Sequence, residues 1–274
     1  MNPDRPIGVF DSGIGGLTVF RQLRTLLPQE NIVYFGDTKR TPYGPRMKNE
    51  IQKFTREILN FMADNKVKLA VAACNTITVN LDNMPNEYPF KIIGMSNGAR
   101  TALLLTRNKR IGIIATEATI RSGKHAAELA ALSPDVKIFS QACHPFASLA
   151  EAEQFSGKVI EQAAVKYLTP LKEANIDTVI LACTHYPFLA SAIRKVLGSV
   201  TLLDPAEETA LEVKAALEKM QQLKKTGKGY SHLYFSADVD RAKRIARRIA
   251  NVDECRFECT DLTNDQAALC LLRN

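Results

Sequence analysis

The sequence predicts an α/β fold of two pseudo-symmetric units, each with a mainly parallel sheet flanked by helices, and a site in the cleft between them. Three observations carry this. Short apolar runs alternate with stretches of helical spacing along the chain, the pattern of strand and crossover helix. Most of the runs are β-branched and lack polar alternation, as strands covered on both faces do. The third observation is an internal duplication. IGVFDSG begins at Ile7 and IGIIATE at Ile111, while downstream VAACNT carries Cys74 and ILACTH carries Cys183. From isoleucine to cysteine is 67 residues in one half and 72 in the other.

Strands are expected over 7–10, 31–35, 69–73, 91–95, 111–115, 136–139, 178–182 and 201–203, with a late one over 231–235. Segment 47–65 places Ile51, Phe54, Ile58, Phe61 and Met62 at helical intervals. Segments 207–223 and 239–250 are similar. The second sets Ala242, Ile245, Ala246 and Ile249 on one stripe, with its Arg and Lys residues opposite. TGKG at 226–229 is a loop. Residues around Cys255 and Cys259 have the character of a strand. Two similar units facing each other bring strand C-terminal ends together, where ligands of open α/β sheets bind.

Composition narrows the classes. The chain has 274 residues, 46% hydrophobic and 24% charged, which excludes bulk disorder. No apolar run reaches the ~18–20 residues of a membrane-spanning helix. The opening MNPDRPIGVFD does not read as a secretory signal, so a cytoplasmic protein with reduced thiols is expected. Six cysteines without any C-x-x-C pair argue against a disulfide scaffold and a structural zinc site. Of the net charge of +7, residues 214–256 supply most, with eleven Lys/Arg against five Asp/Glu. A solvated basic face is the expectation there. A nucleic-acid contact is the alternative, and no nucleic-acid motif accompanies it.

Cys74 and Cys183 stand where a strand stops, followed by Asn75-Thr76 and Thr184-His185. A helix starting there offers free N–H groups and a positive dipole end, which favour a carboxylate and a thiolate. Buried cysteine is usually inert, but the duplication with polar followers favours chemistry. Asp11-Ser12-Gly13 with Gly15-Gly16 is a glycine-rich strand-to-helix turn. It admits a phosphate cradle, yet it matches neither G-x-G-x-x-G nor a P-loop. The alternative is that Asp11 directs its carboxylate into the cleft. His185 reads either as a loop histidine or as a proton partner for Cys183. His125, His144 and His232 read as structural. Cys143, Cys255, Cys259 and Cys270 are given no role. Glu151 is indistinguishable here from a surface glutamate.

Two thiols flanking one cleft suit reversible proton transfer. One thiolate takes a proton from one face of a carbon and the opposite thiol delivers one to the other, which inverts an α-carbon. Free cysteine titrates near ~8.5, so modest tuning reaches either protonation state. Amide and hydroxyl donors can stabilise the enolate-like carboxylate. No lysine lies in these motifs for a pyridoxal Schiff base, so no pyridoxal cofactor is expected; no metal is expected either.

At these residues the chain closely resembles the glutamate racemases of the aspartate/glutamate racemase superfamily. The motifs are FDSGIGGLTV (10–19), YFGDTKRTPYG (34–44), AACNTIT (72–78), IATEATIRSG (114–123) and LACTHYP (181–187). The resemblance implies cofactor-independent interconversion of L- and D-glutamate, supplying D-glutamate for peptidoglycan. It implies that Cys74 works on the D-isomer and Cys183 on the L-isomer. Asp11, His185 and Glu151 are implied as assisting residues, with Glu153 as the other candidate for the last. Asp11, Ser12, Tyr43, Gly44, Asn75, Thr76, Thr119, Thr184 and His185 are implied as holding the amino acid. Residues 1–97 plus 207–274 are expected to form one domain and 98–206 the other. The expected partner is glutamate; a homodimer is admitted, and neither membrane nor nucleic acid is expected. Two departures stand out. Ala182 replaces the family's usual Gly before the second cysteine, and MSNGAR (95–100) replaces a usual Pro-Gly-Ala pattern. The nearest alternative is an aspartate or broader amino-acid racemase. A thiol oxidoreductase is disfavoured by the lack of C-x-x-C.

Overall fold

The computed structural model describes residues 2–263. Cys270 and the last residues of the first expected domain lie outside the described residues. The chain runs β1 (Ile7–Asp11), α1 (Leu17–Leu26), β2 (Ile32–Gly36), α2 (Lys48–Asp64), β3 (Leu69–Ala72), α3 (Asn75–Thr78), β4 (Lys91–Gly94) and α4 (Ala99–Leu105). It continues through β5 (Arg110–Ala115), α5 (Glu117–Ser122), α6 (Lys124–Leu132), β6 (Lys137–Ala142), α7 (His144–Glu151), α8 (Lys158–Glu173), β7 (Thr178–Ala182), α9 (Ala190–Leu197) and β8 (Thr201–Leu203). It closes with α10 (Ala206–Lys219), β9 (Ser231–Phe235), α11 (Val239–Ile249) and β10 (Arg256–Cys259).

The strands form a six-stranded sheet in the order β10-β9-β2-β1-β3-β4 and a four-stranded sheet in the order β6-β5-β7-β8. Every described pairing is parallel. The duplication is visible in this order, since β2-β1-β3-β4 and β6-β5-β7-β8 are one topology used twice. The register repeats it too. Leu69 stands opposite Ile7, and Thr178 opposite Ile111. Counting the same distance onward from Leu69 and Thr178 reaches Cys74 in one sheet and Cys183 in the other.

The central strands β1, β2, β3 and β7 are buried at every residue, as the unalternating apolar runs require. Edge strands β6, β8 and β10 are partly exposed. That explains one difference from expectation. β6 extends through Ser140, Gln141 and Ala142 because the ladder to Ile113, Ile114 and Ala115 continues; an edge strand keeps its backbone pairing whatever its side chains. The helix expected over 207–223 ends at Lys219, and the left-handed backbone of Gln221 follows it.

Each face of the first sheet carries its own apolar cluster. One centres on Val9, Phe20, Tyr34, Val213 and Ile245, and the other on Phe10, Phe35, Ile58 and Met62. Burying each such side chain contributes roughly 1.5–3 kcal/mol. Ile245 comes from α11 and Leu233 from β9, so residues 231–259 pack with the first sheet. No helix among the described residues is long and apolar enough to cross a membrane.

Candidate active site

The loops after β1, β2, β3, β5 and β7 meet around a small cavity of about 10 Å³, room for roughly one water molecule. Ser12, Tyr43, Gly44, Cys74, Asn75 and Thr76 line it from the first half. Thr116, Ala147, Cys183, Thr184 and His185 line it from the second. Both thiols are free and 5% exposed. Each sulfur backs onto the apolar cluster of a different sheet, and the two share this cavity.

The thiols differ in their neighbours. Cys74 Sγ lies 3.7 Å from Ser12 Oγ. Burial, reinforced by the Asp11 carboxylate, pushes its pKa up to about 12, so the resting group is the thiol. Cys183 Sγ lies 3.8 Å from His185 Nδ1. His185 Nε2 lies 2.8 Å from Glu151 Oε1. Burial alone would lower the His185 pKa, but its hydrogen bonds to Cys183 and Glu151 outweigh that and hold it well above the usual value. Burial would raise Glu151, but His185, the Ile14 N–H and Arg241 together hold it below the ordinary carboxylate range. The result is a charged imidazolium–carboxylate pair whose remaining N–H faces sulfur. The carboxylate orients the ring, and the ring presents a proton donor, not a base, to the sulfur.

Glu151 is the knot of the two halves. It belongs to α7, yet Oε1 accepts from the Ile14 N–H at 2.9 Å and from Thr41 Oγ1 at 3.3 Å. Its Oε2 accepts from Arg241 at 3.0 Å, and its carbonyl accepts from the same guanidinium. Glu153, the other candidate, pairs instead with Arg244 at 2.9 Å and Arg248 at 4.0 Å. The glycine-rich turn has its reason here. A Cβ at Gly13 would stand 1.9 Å from Glu151 Oε1, and one at Gly15 would stand 2.4 Å from Thr184 Oγ1 and 2.8 Å from His185 Nδ1. These glycines let the first loop lie against the second half; the geometry gives the phosphate-cradle alternative no support.

Asp11 lies just behind the cavity. Its Oδ1 accepts from the Gly13 N–H at 2.7 Å, and its Oδ2 accepts from Thr184 Oγ1 at 3.2 Å. Burial, ahead of the opposing pull of His185, raises its pKa. Tyr43 donates to Asp37, which Arg40 Nε also engages at 2.6 Å. Thr76 and Thr116 hydroxyls meet across the cleft at 2.8 Å. Thr119 does not line the cavity and reaches it through Thr116, at 3.1 Å. Among the described residues, no group of three or more His, Cys, Asp and Glu is placed to hold a metal ion.

A sequence profile of the Asp/Glu/Hydantoin racemase family matches residues 7–213. A glutamate racemase of Thermoanaerobacter pseudethanolicus is 41% identical over 247 residues, covering 89% of this chain and 93% of that protein. The chain belongs to the glutamate racemases. A solved glutamate racemase isoform from Bacillus anthracis superposes on this family member with a TM-score of 0.88 at 36% identity, covering 95% of this chain and 99% of that one. The Francisella tularensis glutamate racemase, solved with D-glutamate, superposes with a TM-score of 0.84 at 32% identity, with the same coverage. An aspartate racemase of Picrophilus torridus, at 17% identity and a TM-score of 0.54, shares the fold alone.

Several site neighbours in this glutamate racemase family member escaped the sequence reading. Arg241 sits in the stretch expected to be a solvated basic face, yet its side chain is 19% exposed and bound to Glu151. Its position beside the apolar stripe of α11 was the available signal. His125, expected to be merely structural, lies 3.2 Å from Asn75 in the cavity wall. His144 and His232 instead make partly exposed pairs with Glu117 and Glu258. Thr116 lay within a quoted motif with nothing to set it apart from its neighbours.

Proposed function

We propose that the chain interconverts L- and D-glutamate through Cys74 and Cys183, without a cofactor. The observation that carries this reading is the cavity shared by two buried cysteines at equivalent register positions of a duplicated fold. Cys183, faced by the protonated His185, takes the part of the thiolate. It removes the α-proton of L-glutamate, and the electron pair left on carbon spreads into the α-carboxylate. Cys74, a thiol at rest, delivers its proton to the opposite face and becomes the thiolate. The product is D-glutamate, and the reverse sequence restores L-glutamate.

Asn75, Thr76, Thr184 and the backbone around Tyr43 and Gly44 hold the substrate carboxylates in this scheme. Ser12 keeps Cys74 in place, and Asp11 fixes Thr184. Glu151 orients His185 and does not touch substrate, and Thr119 supports Thr116. The two lobes, 1–97 with 207–274 and 98–206, close on the amino acid. The product D-glutamate serves peptidoglycan synthesis in the cytoplasm.

Circular dichroism of the purified protein with D-glutamate or D-aspartate in deuterated water tests the reading. Expected is racemisation of glutamate without added pyridoxal phosphate, metal or nucleotide, with one solvent deuteron gained per inversion. Racemisation of aspartate alone would replace the substrate, and inversion without deuterium gain would overturn the proton-transfer scheme.

A further inference from the structure

One buried pair has no part in that scheme. His125 lies in α6 of the second half and Asn75 opens α3 of the first. Their relative exposures are 6% and 2%, and His125 Nε2 lies 3.2 Å from Asn75 Oδ1. Asn75 lines the cavity and His125 stands behind it. Two polar atoms of the pair, His125 Nδ1 and Asn75 Nδ2, are buried without a hydrogen-bond partner.

These orphans leave two protonation patterns to compare. Burial lowers the His125 pKa to about 4, so at neutral pH the ring carries one N–H. If that hydrogen is on Nε2, it is donated to Asn75 Oδ1, and the orphan Nδ1 is a bare acceptor. If it is on Nδ1, a buried donor is left unpaired. Contact at Nε2 would then need the amide reversed, with its oxygen turned toward the cavity. Either pattern leaves one donor and one acceptor of the pair unpaired, so they differ in which amide atom is turned to the cavity. An amide oxygen facing the cavity would repel any carboxylate bound there.

We propose that His125 is a positioning residue, whose Nε2–H fixes the Asn75 amide so that Nδ2 is kept for a carboxylate of the substrate. This rests on the reading of Asn75 as a substrate-holding residue. The unpartnered Nδ2 is then a donor reserved for the ligand. Because His125 and Asn75 come from different halves, the donor is set in place by a contact across the cleft.

The test is a double-mutant cycle on the full chain, reading KM and kcat for L-glutamate by circular dichroism, with thermal melts alongside. Asn75→Ala is expected to raise KM about 10–100-fold, the value of a hydrogen bond to a charged group. His125→Leu is expected to raise KM about 5-fold, as the competent amide orientation loses population, with kcat within about twofold. In the Asn75→Ala background it should add almost nothing, since the two act as one unit. His125→Gln, which can donate over a similar reach, should restore KM. Should His125→Leu fail to melt cooperatively, His125→Asn, polar but too short, takes its place. Equal effects of His125→Leu in both backgrounds, or none while Asn75→Ala raises KM, would overturn the inference. An unchanged KM in Asn75→Ala would overturn the reading of Asn75 itself.

Discussion

Cys74 and Cys183 occupy the same place in two copies of one topology, yet they live in different electrostatic settings. The copies correspond residue by residue through the register of β1 with β3 and of β5 with β7. Ser12 answers to Thr116, Asp11 to Ala115, Asn75 to Thr184 and Thr76 to His185. At that last position one copy has a hydroxyl bonded to Thr116 and the other an imidazole bonded to Glu151. Asp11 has only an alanine opposite it. The backbone therefore fixes where each sulfur stands, while a few loop side chains give the two sulfurs different neighbours. In the proposed scheme this difference is what separates acid from base on the two faces.

The comparison can be broken most severely at the sulfurs. Cys74→Ala and Cys183→Ala should each reduce racemisation about 10³–10⁴-fold in both directions; near-normal turnover in either would end the two-thiol account. Next comes the partner that only Cys183 has. His185→Gln should lower kcat about 10²-fold, and the rate of Cys183 alkylation, followed by mass spectrometry at pH 7, should fall while that of Cys74 does not. An equal fall at both sulfurs would dissolve the asymmetry.

The smallest effect is on stability. The folded-state pKa of Cys74 is raised to about 12, so its contribution is fully present below the unfolded value and is lost as pH rises toward the folded one. Between those values unfolding releases a proton, and stability should fall by roughly 1.4 kcal/mol per pH unit from this group. Urea unfolding of wild type and Cys74→Ala at pH 9, 10 and 11 should show the shallower decline in the variant. Parallel declines would place the proton elsewhere.

What was legible in the sequence follows the range of the interactions. The central strands and both cysteines could be found because unalternating apolar runs and a repeated strand end are local patterns. His185 was visible as a neighbour of Cys183. Glu151 could not be separated from any surface glutamate, because Ile14 and Arg241, its partners, lie far off in the sequence. Gly13 and Gly15 pointed to a tight turn, but the object they make room for belongs to the other half. His125 looked ordinary because the residue it meets, Asn75, is 50 residues away in the sequence and across the cleft.

The parallel pairing of β9 with β2, Ile32 facing Ser231, has a consequence for biosynthesis. Both sulfurs leave the ribosome well before the strand that flanks β2 is made. The four-stranded sheet draws only on residues 110–203 and can be completed while translation continues. The six-stranded sheet and the guanidinium that steadies Glu151 must await the final stretch, and closing so distant a contact is slow. The nascent polypeptide thus carries both thiols for some time before Arg241 and the outer strands of the first sheet exist.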